Sequence, residues 1–290
     1  MKTGFVAIIG KPNAGKSTIL NALLERDVSI VTSKAQTTRN AIRGIYTDDE
    51  YQIVFVDTPG IHKAQHSLGK IMNKEAFDST KNVDAIVLVV DASKRFNEGD
   101  RVISESLPKD IPLFIVINKI DLMRLPEVNE IKEIYHNAFP NGELIEMSAI
   151  ENFNIDTLLN KVKGLMKEGP IYYPEDMVSD KDSAFYISEI VREKLLKYLK
   201  EEVPHELAVR VDTIEQNKKE VYIKATIIVD KESHKGIVIG KGGKQIRIIG
   251  TKARKTLETY FNKHIFLELF VSVKEDWINN PRILKELGYK

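Results

Sequence analysis

Along the first 166 positions, apolar residues fall into short unbroken blocks separated by longer amphipathic stretches. The blocks at 5–9, 53–56, 85–90, 113–117 and 144–147 are rich in Val and Ile and do not alternate with polar residues. Blocks of that length and texture predict strands buried on both faces, as in a parallel sheet covered by helices. Between them, helical spacing is predicted near 15–25, 68–81, 98–107, 127–139 and 152–166. Residues 43–47 and 51–56, joined by Asp48-Asp49-Glu50, predict a hairpin that adds one antiparallel strand. The expected first domain is therefore three-layer α/β with a mostly parallel sheet.

Residues 167–182 (KEGPIYYPEDMVSDKD) break this pattern with two prolines and several charges, and read as a connection. Beyond it the order changes to helix (183–200), strand (206–215), strand (220–230), short helix (232–239), long helix (243–261) and strand (264–273). Asn217-Lys218-Lys219 suits the turn between the two strands. The expected division is a first domain at 1–168, a linker at 169–182, a smaller α+β domain at 183–275 and a tail at 276–290. No internal repeat or low-complexity tract interrupts it.

Composition narrows the class. With 42% hydrophobic and 29% charged residues the chain is neither disordered nor fibrous. It has no cysteine, so a disulfide frame and a thiolate metal site are excluded, and a reducing compartment fits. No run approaches the roughly 20 apolar residues of a membrane-spanning helix, and the N-terminal run stops at Gly10-Lys11-Pro12. A cytoplasmic monomer without an obligate protein partner is expected, with peripheral contact at the inner face of the cell membrane left open. The net charge of +1 hides an asymmetry. Residues 1–170 carry 21 basic and 23 acidic side chains, whereas residues 231–263 carry nine Lys/Arg against Glu232 and Glu258. Such a local cationic block points to a polyanion partner for the second domain.

Four motifs carry the chemistry. Gly10-Lys11-Pro12-Asn13-Ala14-Gly15-Lys16-Ser17 has the G-x-x-x-x-G-K-[ST] pattern between a strand and a helix. Its glycines let successive N–H groups point at phosphate oxygens beside a helix N-terminus. Lys16 is expected to bridge β- and γ-phosphates, Ser17 to bind Mg²⁺, and Thr18 to complete the loop's contacts. Asp57-Thr58-Pro59-Gly60, followed by Ile61, ends a buried strand: Asp57 suits Mg²⁺ through water, and the Gly60 N–H suits the γ-phosphate. Asn118-Lys119-Ile120-Asp121 selects guanine, because Asp121 can accept from the ring N–H and the exocyclic amine that adenine lacks. Two such bonds at about 1.5–3 kcal/mol each imply roughly 10²- to 10⁴-fold preference over ATP. Asn118 would tie this loop to the base and the phosphate loop, the Lys119 stem would cover the ring, and Ser148-Ala149 would offer an N–H to guanine O6.

With Gln36-Thr37-Thr38-Arg39-Asn40 added, the motif set resembles the translation-associated GTPases, and the second domain narrows the likeness to the Era family across essentially the whole chain. The resemblance implies a P-loop GTPase domain followed by a type II KH domain, with GTP/GDP and Mg²⁺ as ligands. It implies Thr38 as the switch threonine on Mg²⁺, with its neighbour Thr37 as the alternative, and Lys16, Thr38, Gly60 and Asn13 as the catalytic set. Asn13 stands where potassium-dependent relatives carry a K⁺ ligand, the remaining ligands being carbonyls around 32–37; the alternative is that its amide only hydrogen-bonds within the loop. Ile61 stands where many relatives carry a water-orienting glutamine, so slow hydrolysis is expected. His62 is read either as a substitute or as an exposed loop residue.

In the second domain, Gly240-Lys241-Gly242-Gly243, followed by Lys244 and Arg247, places a G-x-x-G loop between two helices inside the cationic block. A KH module uses such a loop to bring bare backbone to a single-stranded nucleic-acid backbone. Family resemblance extends this to the 3′ end of small-subunit (16S) ribosomal RNA, the 30S subunit and its assembly. Two other classes compete: a GTP-switched scaffold binding protein or anionic membrane, and an ATP-using P-loop enzyme, against which Asp121 argues. Trp277 reads as packing for the tail or as a stacking platform for RNA.

Overall fold

The computed structural model describes residues 1–34, 36–199 and 203–289. The predicted helix end at residue 200 and residue 35 of the 32–37 segment lie outside the described residues. Two compact units result: residues 1–65 with 69–180, and residues 66–68 with 181–290.

In the first unit, strands β1 (Lys2–Gly10), β2 (Ile42–Thr47), β3 (Tyr51–Asp57), β4 (Ala85–Asp91), β5 (Leu113–Asn118), β6 (Glu143–Glu146) and β7 (Lys167–Glu168) form one sheet. Helices α1 (Lys16–Leu24), α2 (Ser67–Asp78), α3 (Glu98–Ser106), α4 (Leu125–Ala138) and α5 (Ile155–Lys163) connect them. The order is β2-β3-β1-β4-β5-β6, with β3, β1, β4, β5 and β6 parallel and β2 antiparallel as the hairpin pattern requires. Val6, Ile8, Phe55 and Val87 pack toward α1 and α5, while Ala7, Ile9, Ile86 and Leu88 pack toward the opposite face. Both faces of the central strands are thus dry, which explains their lack of alternation. The parallel strands deliver Gly10, Asp57, Asn118 and the residues after β6 to one edge of the sheet, where an open α/β fold binds ligands.

The connection is more ordered than its prolines and charges suggest. β7 pairs antiparallel with the start of β1, and residues 172–180 run on along β2 and β3. Gln52, fully buried, accepts from the N–H groups of Tyr172 (2.7 Å) and Tyr173 (3.1 Å) and donates to the Tyr173 carbonyl (2.8 Å). The Ile45 N–H donates to the Val178 carbonyl, and the Asp180 N–H to the Arg43 carbonyl. By its contacts the segment through Asp180 belongs to the first unit.

In the second unit, α6 (Ser183–Tyr198), β8 (Leu207–Gln216), β9 (Glu220–Val229), α7 (Glu232–Ile239), α8 (Lys244–Phe261) and β10 (His264–Val273) follow the predicted order. The sheet runs β10-β9-β8, with β9 and β10 parallel and β8 antiparallel to β9. Trp277 is fully buried and donates its indole N–H to the Glu206 carbonyl at 3.1 Å, so it packs within the domain and does not stack on RNA. A last short helix, α9 (Pro281–Glu286), closes the tail.

Removing the Gln52 amide takes away the part-buried partner of the Tyr172 and Tyr173 backbone groups. Gln52→Leu is expected to lose about 2–4 kcal/mol in urea-induced unfolding and to open residues 172–180 to protease first; unchanged stability would mean that water replaces these bonds.

Candidate functional site

The phosphate-loop residues curl between β1 and α1. Gly15 has φ 102°, and a Cβ there would lie 2.2 Å from Asn118 Nδ2, so neither the backbone angle nor the space admits a side chain. Helix α1 has no side-chain cap and no acidic residue in its first turn, leaving its N-terminal N–H groups for an anion. Lys16 bends back into the loop, donating to the carbonyls of Gly10 (3.1 Å) and Lys11 (3.0 Å). Burial pulls its ammonium down to about 8, partly offset by the nearby Asp57 carboxylate. Lys11 turns the other way. Its ammonium meets Asp100 on α3, which also accepts from the Tyr135 hydroxyl (2.9 Å), so Lys11 can offer a nucleotide only its backbone.

Three predicted metal ligands converge. Ser17 Oγ lies 2.8 Å from Thr38 Oγ1 and 2.7 Å from Asp57 Oδ2. Asp57 is fully buried, and burial drives its carboxyl upward against the lowering influence of Lys16 and its hydroxyl donors. Ser29, which no motif marks, supplies one of those donors at 3.0 Å. The Asp57 Oδ1 atom is buried without a hydrogen-bond partner. An anionic oxygen orphaned beside two hydroxyls suits a hard divalent cation such as Mg²⁺. Thr37, the alternative to Thr38, is tied to Thr32 Oγ1 (2.6 Å) and the Lys34 carbonyl (2.7 Å).

Thr58 hydrogen-bonds the Ile8 carbonyl through its hydroxyl (2.8 Å) and is fully buried, so it braces the turn. Gly60 lies against the phosphate loop: a Cβ would come within 2.7 Å of Pro12 Cα and N. Ile61 is buried in the apolar core. Asn13, at φ 61°, donates its amide to the Ser33 carbonyl at 2.8 Å. That bond leaves the phosphate loop and reaches the segment expected to supply K⁺ carbonyl ligands.

At the far end, Asn118 is buried, donating to the Ala14 carbonyl (2.8 Å) and accepting from the Ala149 N–H (3.1 Å). The Ala149 donor offered by sequence to guanine O6 is therefore engaged, and a base reaches it only as a shared donor. Ser148 holds Asp121 through its hydroxyl (2.6 Å), and Asp121 stays exposed. Lys119 reaches the Asn13 carbonyl and Asp91 Oδ2, both at 2.6 Å. Burial alone would raise the Asp91 carboxyl, but hydrogen bonds from Lys119 and Ser93 outweigh it and hold it low. Asp91 was not marked by any motif; its place at the end of β4, beside the β5 end, was the available signal. Lys16, Ser17, Thr18, Thr38, Gly60, Asp91 and Lys119 share the walls of a 460 Å³ cleft.

In the second unit, Gly240, Gly242 and Gly243 have φ of 71°, 60° and 73°, and nothing lies within 4 Å of a Cβ built at Gly242 or Gly243. Lys241, Gly242, Lys244 and Arg247 are exposed, and α8 begins with no acid in its first turn. Ile237 and Ile248, 45% and 44% exposed, add apolar surface beside this loop that the charge pattern did not reveal.

A phosphate loop, a buried carboxylate for Mg²⁺ and an exposed guanine-type carboxylate on one sheet edge define a P-loop GTPase, here joined to a KH domain. Residues 5–119 match the family model of the 50S ribosome-binding GTPase, and residues 202–278 match the KH domain. The GTPase Era of Alkaliphilus metalliredigens is 46% identical over 293 residues, spanning all of this chain and 99% of that protein. That of Clostridium kluyveri is 46% identical over 292 residues, spanning both chains completely. The crystal structure of a Tyr-to-Ala variant of Aquifex aeolicus Era bound to GDP·AlF₄⁻ superposes with a TM-score of 0.95 at 38% identity, covering 100% of this chain and 99% of that one. Era in complex with MgGDPNP and nucleotides 1506–1542 of 16S ribosomal RNA gives 0.96 at 37% identity, with the same coverage. The chain belongs to the GTPase Era family and is a GTPase.

The depressed Lys16 ammonium sets a pH dependence. Bound phosphates favour the charged form and lift its pKa, so nucleotide binding above pH 8 must take up a proton, and affinity must fall as pH rises through about 8. Calorimetry of GDP binding at pH 9 in two buffers of different ionisation enthalpy should show uptake of about one proton, absent at pH 7 and in Lys16→Met. No uptake at pH 9 would mean that the ammonium is not desolvated.

Proposed function

We propose that this protein is a GTP-operated switch that binds small-subunit ribosomal RNA near its 3′ end through its KH domain and assists assembly of the 30S subunit. The observation that carries the nucleotide half is the convergence of Ser17, Thr38 and the orphaned Asp57 carboxylate beside the buried Lys16. Ser17 and Thr38 would hold Mg²⁺, with Asp57 behind water; the ion would neutralise charge on the β- and γ-phosphates. Lys16 leaves its carbonyl acceptors to bridge the same phosphates, and Gly60 donates its N–H to the γ-phosphate. Asp121, held by Ser148, accepts from the two guanine donors, and the Lys119 stem lies along the ring with its head already fixed. Thr38 and Gly60 come from separate segments that both meet the γ-phosphate, so hydrolysis releases both. Asn13 Oδ1 and the neighbouring Ser33 carbonyl would hold K⁺ near the β–γ bridge.

The RNA half is supported by the bare, positive-φ loop at 240–243 inside the cationic block, and by the full-length likeness to an Era bound to 16S ribosomal RNA. In this proposal the protein works as a cytoplasmic monomer, with contact at the inner face of the membrane peripheral at most.

Two substitutions test the halves separately. Asp121→Asn exchanges a double acceptor for an amide that suits xanthine, so preference should move from GTP to XTP by about 10²-fold or more; normal GTP binding with no XTP binding would displace the base from this end of the cleft. The double variant Lys241→Asp, Gly242→Asp places carboxylates where RNA phosphates must sit. Its affinity for a 16S 3′-end oligonucleotide should fall at least about 100-fold while GTP affinity holds. Unchanged RNA binding would favour a switched scaffold acting on another partner.

A further inference from the structure

Hydrolysis needs a group that fixes the attacking water, and the residue after Gly60 cannot be it. Ile61 is buried among Ala7, Ile9 and Leu88, with its N–H given to the Gly10 carbonyl at 3.1 Å. Turning it into the cleft would empty part of the core and still bring no polar atom.

The next residue points elsewhere. His62 is clamped by Asn73, whose side chain accepts from the His62 N–H (3.2 Å) and donates to its carbonyl (2.6 Å). Its Nδ1 lies 2.8 Å from the Gly60 carbonyl, and its Nε2 lies 3.2 Å from Gln36 Nε2. A carbonyl only accepts, so Nδ1 carries the proton; Nε2 of the neutral ring is then an acceptor, and the Gln36 amide nitrogen is its donor. One imidazole thereby reads both sides: the turn whose N–H meets the γ-phosphate, and a glutamine on the switch segment two residues before Thr38. Gln36 sits at φ 58° and shares the cleft wall with Lys16, Thr38 and Gly60. A left-handed glutamine backbone, held by a histidine of defined tautomer, is a constrained arrangement for a loop side chain.

We propose that Gln36 is the residue that orients the attacking water, and that His62 is the positioning residue that holds the Gln36 carboxamide; this rests on the cleft being the nucleotide site. Gln36 Oε1 is buried here; turned toward the γ-phosphate with its nitrogen kept on His62, it would accept one O–H and aim the water's lone pair at the γ-phosphorus. The water oxygen forms the new P–O bond, and the bond from phosphorus to the β–γ bridging oxygen breaks with its electron pair passing to GDP. Of the two water protons, one stays on inorganic phosphate and one goes to solvent; Gln36 takes neither. A glutamine supplied by the switch segment, and absent from the turn after Gly60, makes water positioning conditional on that segment being closed.

The test is single-turnover GTP hydrolysis by the full-length protein, alongside affinity for a non-hydrolysable GTP analogue and capture of GDP·AlF₄⁻. Gln36→Ala should lower the hydrolysis rate at least about tenfold and weaken GDP·AlF₄⁻ capture, with analogue affinity unchanged. His62→Ala should lower the rate less, His62→Gln should restore part of it by keeping an acceptor, and the double variant should be no slower than Gln36→Ala. Wild-type hydrolysis by Gln36→Ala, or a fall matched by an equal loss of analogue affinity, overturns the proposal. Lys16→Ala separates the two levels. If it still binds GTP normally, the cleft reading itself fails; if it loses GTP while Gln36→Ala turns over normally, only the assignment of Gln36 fails.

Discussion

An ammonium and a carboxylate buried in the same cleft, without touching one another, govern the rest of the first domain. Lys16 satisfies its protons on two backbone carbonyls, and Asp57 satisfies one oxygen on hydroxyls while the other has no partner. Burial works against both charges, and each partly relieves the other. Two half-compensated charges are unfavourable for the fold alone and become favourable once polyphosphate and a divalent cation bring the opposite signs. The curled loop, the uncapped start of α1 and the parallel strands that end together hold those charges at a fixed distance.

Around them, the segment that carries Thr38 meets the phosphate loop and the turn after β3 through side chains. Thr38 meets Ser17 and Asp57, Asn13 meets Ser33, and Gln36 meets His62, each through its side chain. At the other end of the cleft, Asn118 spans Ala14 and Ala149, and Lys119 spans Asn13 and Asp91.

Much of this was legible in the chain. Strand blocks, the hairpin at 43–56 and the α-β-β-α-α-β order of the second domain appear within a few residues of their expected limits, because burial on both faces leaves an unambiguous pattern. The residues expected at phosphate, magnesium and guanine could be singled out because each motif is contiguous, and the fold brings Ser17, Thr38 and Asp57 together. What escaped was contact between distant segments. Ser29, Asp91 and Asn73 are ordinary polar residues until the fold brings Asp57, Lys119 and His62 to them. The linker at 169–182 was legible only as a break in pattern, and its prolines and charges gave no sign that residues through Asp180 pair with the first unit. The buried Gln52 that binds it lies in a strand and gives no sign of its partner.

The grip of Lys119 on the Asn13 carbonyl makes the two ends of the cleft mechanically continuous. A base that displaced the loop 118–121 would pull on the same backbone that cradles phosphate and, through Asn13, on the switch segment at Ser33. With the base placed at Asp121 as proposed, a wrong base would be penalised twice: by the bonds missing there, and by slackening of the frame that holds the phosphate loop. On that placement, discrimination among bases would act on turnover as well as on occupancy, and a mismatched nucleotide lodged in the cleft would be a poor timer for the switch.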